Sequence, residues 1–249
     1  MRLTTWNGNS LTARMARAEA WLAANQSDVL CLQELKLETH KFPHEMFDAL
    51  GYRAAVYGQK TYNGVAIIAK KTLPDFADVQ MGVPGFDDEQ CRAIAATIGD
   101  VRVIDLYVVN GQSIESDKFQ YKLRWLDAVS TWLAAERAKH EKLVVVGDFN
   151  IAPTDADVYD PVAWAGQVLC TDQERAAFNH WVGLGLTDCF RKFEHPPKTF
   201  TWWDYRMLGF PKNNGLRIDH TLATPAPANT CTACTVDRNE RKGEKPSDH

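Results

Sequence analysis

At 249 residues, with 45% hydrophobic and 24% charged side chains, the sequence has the make-up of a globular chain long enough to bury a substantial core. A formal net charge of -4 argues against a protein that coats nucleic acid non-specifically, yet leaves room for a local basic groove and suits a site holding divalent metal. No apolar run approaches the ~20 residues that span a bilayer, and the opening MRLTTWNGNS lacks the apolar segment of a secretory signal, so a cytoplasmic protein is expected.

In chain order, RLTTW reads as a strand, followed by NGNSL as a turn or cap. TARMARAEAWLAAN then carries apolar residues at helical spacing. DVLCLQEL is a short apolar run with a charged end, and YNGVAIIAKK reads as a strand entered through an Asn-Gly turn. AIAATIGDVRVIDLYVVNG has the form of a hairpin about Gly99-Asp100. KFQYKLRWLDAVSTWLAAERAKH is the longest helical pattern, and the strand KLVVVGDFN follows it. A further helix is expected at DQERAAFNHWVGLG, and strands at TFTWWDY and LRIDHTLAT. Strands and helices interleave without a linker or repeat, which predicts one α/β domain of mixed sheets covered by helices over residues 1–249.

The same event recurs along these strands. LTTW ends at Asn7, VLCLQ at Glu34, VIDLY at Tyr107 ahead of Asn110-Gly111, LVVV at Asp148 and Asn150, and LRI at Asp219-His220, while the sequence stops on Asp248-His249. An Asp and an Asn after a strand often do no more than start a turn. Polar residues at several strand ends along one edge of a sheet core instead build a shared cleft. Glu34 and Asp148 offer hard oxygen atoms suited to magnesium or manganese, as does Asp248. Asn7 would orient the metal or its waters, Asp148 would draw a proton from water, and Asn150 would hold geometry or donate to phosphate oxygens. Asp219 beside His249 would favour an imidazolium able to stabilise a phosphoryl oxyanion. The set reads as metal-assisted hydrolysis of a phosphoester by water. Of the six cysteines, Cys231 and Cys234 form one CxxC, but neither a second pair nor flanking histidines complete a zinc set, so ordinary reduced thiols are expected.

TTWNGNSL, LCLQELK, QKTYNGVAI, LYVVNG, GDFNIAP, TWWDYR, GLRIDH and EKPSDH together resemble the exonuclease III family of apurinic/apyrimidinic endonucleases, within the endonuclease/exonuclease/phosphatase superfamily. GDxN and SDH occur across the superfamily, whereas QKTYNGVAI, TWWDYR and GLRID point to its DNA-repair branch. The resemblance implies a four-layer α/β sandwich, two mixed β-sheets packed face to face with helices outside. It implies Glu34 as principal metal ligand with Asn7 and Asp248 nearby, and Tyr107 at the scissile phosphate. Asp148 would activate water or protonate the leaving group, Asn150 would stabilise the transition state, and Asp219 and His249 would form the Asp-His pair. With a second ion, Asp148, Asn150 and His249 would lie beside it. In that family a final apolar strand follows SDH, pairs in a core sheet and anchors the histidine; the sequence stops at His249, so that strand is expected to be missing from it.

The implied activity is magnesium- or manganese-dependent cleavage 5' to abasic sites in double-stranded DNA, leaving a 3'-hydroxyl, with 3'-to-5' exonuclease action at nicks and blocked 3' ends. The chain is taken as a monomer. Lys118, Lys122 and Arg124 read either as the solvated face of a helix or as DNA contacts, the resemblance favouring Lys118, and Arg92 matches an arginine packed against the DNA backbone. Trp202 and Trp203 alternate faces, so one belongs in the core. The resemblance selects Trp202, with Leu216 and Ile218, to line a pocket for a flipped-out baseless sugar. Two other readings stand beside this one: a superfamily phosphatase acting on lipid or sugar phosphates, and a catalytically inactive DNA-binding relative.

Overall fold

Side chains alternate along each strand, and that alternation sorts the apolar residues into layers. The computed structural model describes residues 1–249. Strands β1 (Leu3–Asn7), β2 (Val29–Gln33), β3 (Tyr52–Tyr57) and β4 (Val65–Lys70) form a four-stranded sheet in the order β1-β2-β4-β3, with only the β1–β2 pair parallel. The second sheet begins with β5 (Phe76–Met81), β6 (Ala93–Ile98), β7 (Val101–Tyr107), β8 (Leu143–Asp148) and β9 (Thr187–Asp188). A short ribbon pairs β10 (Trp202–Trp203) with β11 (Gly215–Leu216). Then β12 (Asp219–Ala223) completes the six-stranded sheet, ordered β5-β6-β7-β8-β12-β9, in which only β7 and β8 are parallel.

Val29, Cys31, Val65 and Ile67 of the first sheet meet Ile94, Ala96, Val103, Val144 and Val146 of the second in one buried layer. Their neighbours Leu30, Leu32, Ala66 and Ile68 face the other way, onto Leu11, Ala18 and Leu22 of α1 (Leu11–Asn25) and Phe47 of α2 (His44–Ala49). Beyond the second sheet, Ala95, Ile104, Leu106 and Val145 pack under Trp125, Val129 and Leu133 of α3 (Asp117–Lys139). Past the short α4 (Pro161–Trp164), Phe178 and Trp181 of α5 (Asp172–Gly183) join that layer, and α6 (Pro225–Thr230) follows β12. The order helix–sheet–sheet–helix is the four-layer sandwich the resemblance implies. Ser116 starts α3 by accepting from the Lys118 N–H, and Arg137 and Lys139 sit in its last turn where the helix dipole favours cations.

Some elements differ from the sequence reading. YRAAVY (β3) and FADVQM (β5) are strands without an alternation strong enough to mark them; β5 is a mostly exposed edge whose register shifts between Ala77 and Gln80. TFTWWDY contributes only the two residues of β10. The strand read through LRI does not end at Asp219 but starts there. Running antiparallel to β8, it presents its first residue at the edge where β7 and β8 present their last.

One polar pair interrupts the apolar layer between the sheets. Gln33 follows Val29 and Cys31 on the inner face of β2, and its Nε2 donates to Asp105 Oδ1 of β7 at 2.7 Å and to Thr5 Oγ1 at 3.0 Å. Asp105 is fully buried, and burial pushes its carboxyl well above the usual range, against the smaller opposing effect of the Gln33 bond. The folded protein therefore keeps a proton that the unfolded chain releases. Stability should fall as pH rises above ~4, by up to about 1.4 kcal/mol per pH unit, until the folded carboxyl itself ionises. Asp105→Asn keeps the shape and removes the titration. Its melting temperature should exceed that of the parent by a margin that widens from about pH 5 to about pH 8; an unchanging margin would mean that Asp105 ionises freely in the fold.

Candidate active site

The ends of β1, β2, β7 and β8 and the start of β12 meet at one edge of the stacked sheets. Asn7 closes β1, Asp148 closes β8, and Asp219 lies opposite Asp148 across the β8–β12 pair, as Tyr107 does across the parallel β7–β8 pair. Asn7 is wholly buried, and its Nδ2 donates to Glu34 Oε1 at 3.0 Å and to Asp148 Oδ2 at 2.9 Å, so one amide joins the two sheets at the cleft. Its Oδ1 accepts from the Asn9 N–H at 2.9 Å. Asp148 Oδ1 accepts from the Asn150 N–H at 3.0 Å. His249 places Nε2 3.4 Å from Asp148 Oδ2 and Nδ1 2.8 Å from Asp219 Oδ2. Ser247, two residues before it, donates through Oγ to the Asn7 carbonyl at 2.7 Å and holds this segment to β1.

The backbone around these groups is strained. Asn9, Glu34, Lys36 and Asn150 all have φ between 45° and 54°, a left-handed conformation that non-glycine residues seldom adopt. Each residue turns the chain at a strand exit, so that Glu34 reaches the Asn7 amide and the Asn150 N–H turns back to Asp148.

Electrostatics sharpen the picture. Burial, together with the neighbouring Asp219 charge, pushes the Asp148 carboxyl up to about 7, while His249, Asn7 and the Asn150 N–H pull it back. Burial works against the charged form of His249, but Asp219 and Asp148 overcome it and hold the imidazolium well above its ordinary range. Burial, then the Glu34 and Asp148 charges, pushes the Tyr107 phenol far up, so it remains a neutral donor. One ligand atom each from Asp148, Asp219 and His249 lies within 4.8 Å of the others, and Glu34 adjoins them through Asn7. Carboxylates that repel one another beside a neutral amide fit a hard divalent cation, which would relieve that repulsion, with the carboxylate oxygens rather than the imidazolium as its ligands.

Asp248 stands apart from the three-residue cluster: its Oδ2 accepts from the Trp202 indole at 3.0 Å and its Oδ1 from Asn9 Nδ2 at 3.2 Å. Lys36, which the sequence reading did not single out, lies 3.4 Å from Glu34 Oε2 and donates to Asn9 Oδ1 at 2.6 Å. Its place two residues after Glu34 was the available signal. Lys118 is exposed at the start of α3. Arg92 is folded inward: its Nε donates to Gln90 Oε1 at 2.7 Å and its guanidinium lies 4.9 Å over the Tyr107 ring. Lys122, grouped with Lys118 as either a solvated face or a DNA contact, is neither, being fully buried.

Two of the three residues expected to line a sugar pocket are fully buried. Leu216 and Ile218 are 0% and 1% exposed, in a small apolar core with Ala152, Val158, Leu169 and Cys170. Trp202 is half-buried and packs at the margin of that core beside Trp164 and Val168. The segment from Ala152 to Cys170 supplies the other four buried members of that core. Trp203 faces the opposite way, buried edge-on against Phe210 at 5.1 Å with its indole donating to Asn213 Oδ1 at 3.0 Å.

Residues 4–249 match the family described as "Endonuclease/Exonuclease/phosphatase family". Among curated relatives, an exodeoxyribonuclease III from Haemophilus influenzae is 34% identical over 100% of this chain and 97% of its own length. An exodeoxyribonuclease from Bacillus subtilis is 29% identical over 90% of this chain and 88% of its own. Among solved structures, a 3' phosphatase (NExo) from Neisseria bound to product DNA hairpin superimposes with a TM-score of 0.97 at 45% identity, covering 100% of this chain and 96% of that one. An AP endonuclease from Archaeoglobus fulgidus gives a TM-score of 0.94 at 36% identity with the same coverage.

The two tryptophans of β10 should respond differently to truncation. Trp203→Ala should lower stability by roughly 3–5 kcal/mol, as loss of a buried aromatic does, whereas Trp202→Ala should shift the melting temperature far less. Thermal melts of both variants check this, and equal losses would contradict the assigned faces.

Proposed function

The chain belongs to the endonuclease/exonuclease/phosphatase family, and from that premise we propose that it is a metal-dependent DNA-repair nuclease. It hydrolyses phosphodiesters 5' to abasic sites in duplex DNA and trims 3' ends, leaving a 3'-hydroxyl each time. The observation that carries this reading is the compact set of Asp148, Asp219 and His249, tied to Glu34 through the Asn7 amide. Such a set has donors for a cation, a base and an acid, and lacks any nucleophilic Ser or Cys, so water is the nucleophile.

Glu34 and Asn7 would hold a magnesium or manganese ion, with Asp148, Asn150 and His249 beside a second. When bound, the ion supplies charge neutralisation at the phosphate and lowers the pKa of coordinated water. The chain's own groups supply the rest. Asp148 takes a proton from the attacking water, a task suited to a carboxyl raised to about 7. Water oxygen bonds to phosphorus as the bond to the upstream 3' oxygen breaks, and that oxygen takes its proton from solvent water, giving the 3'-hydroxyl. Asp219 fixes His249 through Nδ1, which leaves the Nε2–H, 3.4 Å from Asp148 Oδ2, to donate to a phosphate oxygen where negative charge builds once substrate is bound. Asn150 and Tyr107 donate to the same phosphate.

A narrower reading, with 3'-end processing dominant and abasic cleavage minor, is supported by the burial of Leu216 and Ile218 in an apolar core against which Trp164, Val168 and Trp202 pack. It is supported too by the names of the relatives at 45% and 46% identity, a 3' phosphatase and a 3'-5' exonuclease. Digestion of duplexes carrying an internal abasic site, a nick or a 3'-phosphate, with magnesium and with chelator, separates the two readings. Loss of all cleavage without magnesium is expected. Turnover of inositol phosphates but of none of the duplexes would overturn both.

Two substitutions probe the assigned roles. Asp148→Asn should leave DNA binding in place while single-turnover cleavage drops by roughly 10²–10⁴-fold; parallel loss of binding would make Asp148 structural. Glu34→Gln should cut poorly at low magnesium and recover in part at high magnesium. Normal cutting at low magnesium would remove Glu34 from the ligand set.

A further inference from the structure

One buried charge has no part in the chemistry above. Lys122 lies on the inner face of α3, and it and Glu174 of α5 have side chains that are 0% exposed. Its ammonium has three N–H donors, and each has an acceptor: Glu174 Oε2, the Asn150 carbonyl at 2.7 Å and the Asn110 carbonyl at 3.2 Å. Replacing a buried ion pair with apolar side chains is often neutral or stabilising, so stability alone is a weak reason for two charges here. What the ammonium touches supplies a better one.

The two carbonyls belong to the loops that leave β7 and β8. Asn150 sits at φ +48°, and each of its polar atoms has a partner, with one of the two Nδ2–H donors left over. Its N–H donates to Asp148 Oδ1 at 3.0 Å, its Nδ2 to the Val108 carbonyl at 2.9 Å, and its Oδ1 accepts from Asn110 Nδ2 at 3.3 Å. Lys122 holds the same residue from behind. Gly111, at φ +96°, lets the first loop lie against the lysine stem; an added Cβ would stand 3.3 Å from Lys122 Cδ. Glu174 in turn accepts from the Leu169 N–H at 3.0 Å and from Thr171 Oγ1 at 2.8 Å, and the Leu169 carbonyl accepts from the Ala152 N–H at 2.9 Å.

We infer that Lys122 is a positioning residue: its ammonium clamps the Asn150 and Asn110 carbonyls together and thereby sets the aim of Asn150 and Asp148. The inference deepens the nuclease reading and rests on it for its effect on turnover. The clamp acts behind the cleft, so it governs kcat rather than KM.

Three variants test it: Lys122→Met, Glu174→Gln and the two combined. Lys122→Met strands the Glu174 charge and should lose both stability and turnover. The double variant removes both charges, so its melting temperature should return towards that of the parent. Its kcat on cleavable duplex should nevertheless stay down by about 10²-fold with KM little changed, the scale of a slightly misplaced catalytic group. Glu174→Gln leaves the Lys122 nitrogen in place with at least two N–H donors for the two carbonyls, even as the neutral amine, and should hold kcat within about threefold of the parent. In metal-free protein, amide hydrogen exchange across 149–152 should quicken in both variants that lack Lys122 and stay slow in Glu174→Gln. Recovery of kcat in the double variant, a loss confined to KM, or unchanged exchange without Lys122 would overturn the clamp. Should the double variant fail to fold, an equal loss of kcat in Glu174→Gln would overturn it instead. A parent protein that cuts no duplex would defeat the nuclease reading, and the exchange measurement would still decide the clamp.

Discussion

The amide of Asn7 is the group on which the rest of the site depends. Its two N–H donors reach Glu34, on the same sheet, and Asp148, on the other, while its oxygen takes the Asn9 N–H. A carboxamide can serve two carboxylates at once because it adds no charge of its own. Fully buried, it also has no water to which it could lose those bonds. The packing of one sheet on the other is thereby read out as a distance between two acids, and any slip between the sheets would appear first at the cleft.

A second polar contact follows the same line away from the site. Gln33, on the inner face of β2, donates to Asp105 and Thr5 within an otherwise apolar layer. Between them, Asn7 and Gln33 pin the first sheet to the second by directional bonds, where Val and Ile contacts alone would tolerate sliding. The tension in the site has the same origin. Asp148 is held near Asp219 in a place from which water is largely excluded, which raises its carboxyl and secures a charged His249. Functional groups in that state are kept there by the surrounding fold rather than by their own preference.

Loops leaving the strands carry the remaining precision. Glu34, Lys36 and Asn150 adopt left-handed backbone that would relax if unsupported. Asn150 has four partners: Asp148, Val108, Asn110 and the Lys122 ammonium. Trp202 links the other margin to the same centre, its indole bonded to Asp248 one residue before His249.

Much of this was legible in the sequence because strands announce themselves by apolar runs and by what stops them. LVVVGDFN, VLCLQE and LTTWN each end in a side chain that a buried strand would not carry without a purpose, and the longest helical pattern is α3. An edge strand such as β5 is not marked by alternation because, mostly exposed on both faces, it has no buried side to carry apolar residues. Direction was hidden too: only the pairing with β8 shows that Asp219 begins its strand. What the tertiary structure alone decided is which polar groups face inward. A lysine in a charged helical stretch reads the same whether it meets solvent or Glu174, and Leu216 and Ile218 read the same whether a pocket or a covering loop lies over them. Burial is a property of what packs against a residue, and for Lys122 and Leu216 the decisive neighbours come from segments distant in the chain, which no local pattern encodes.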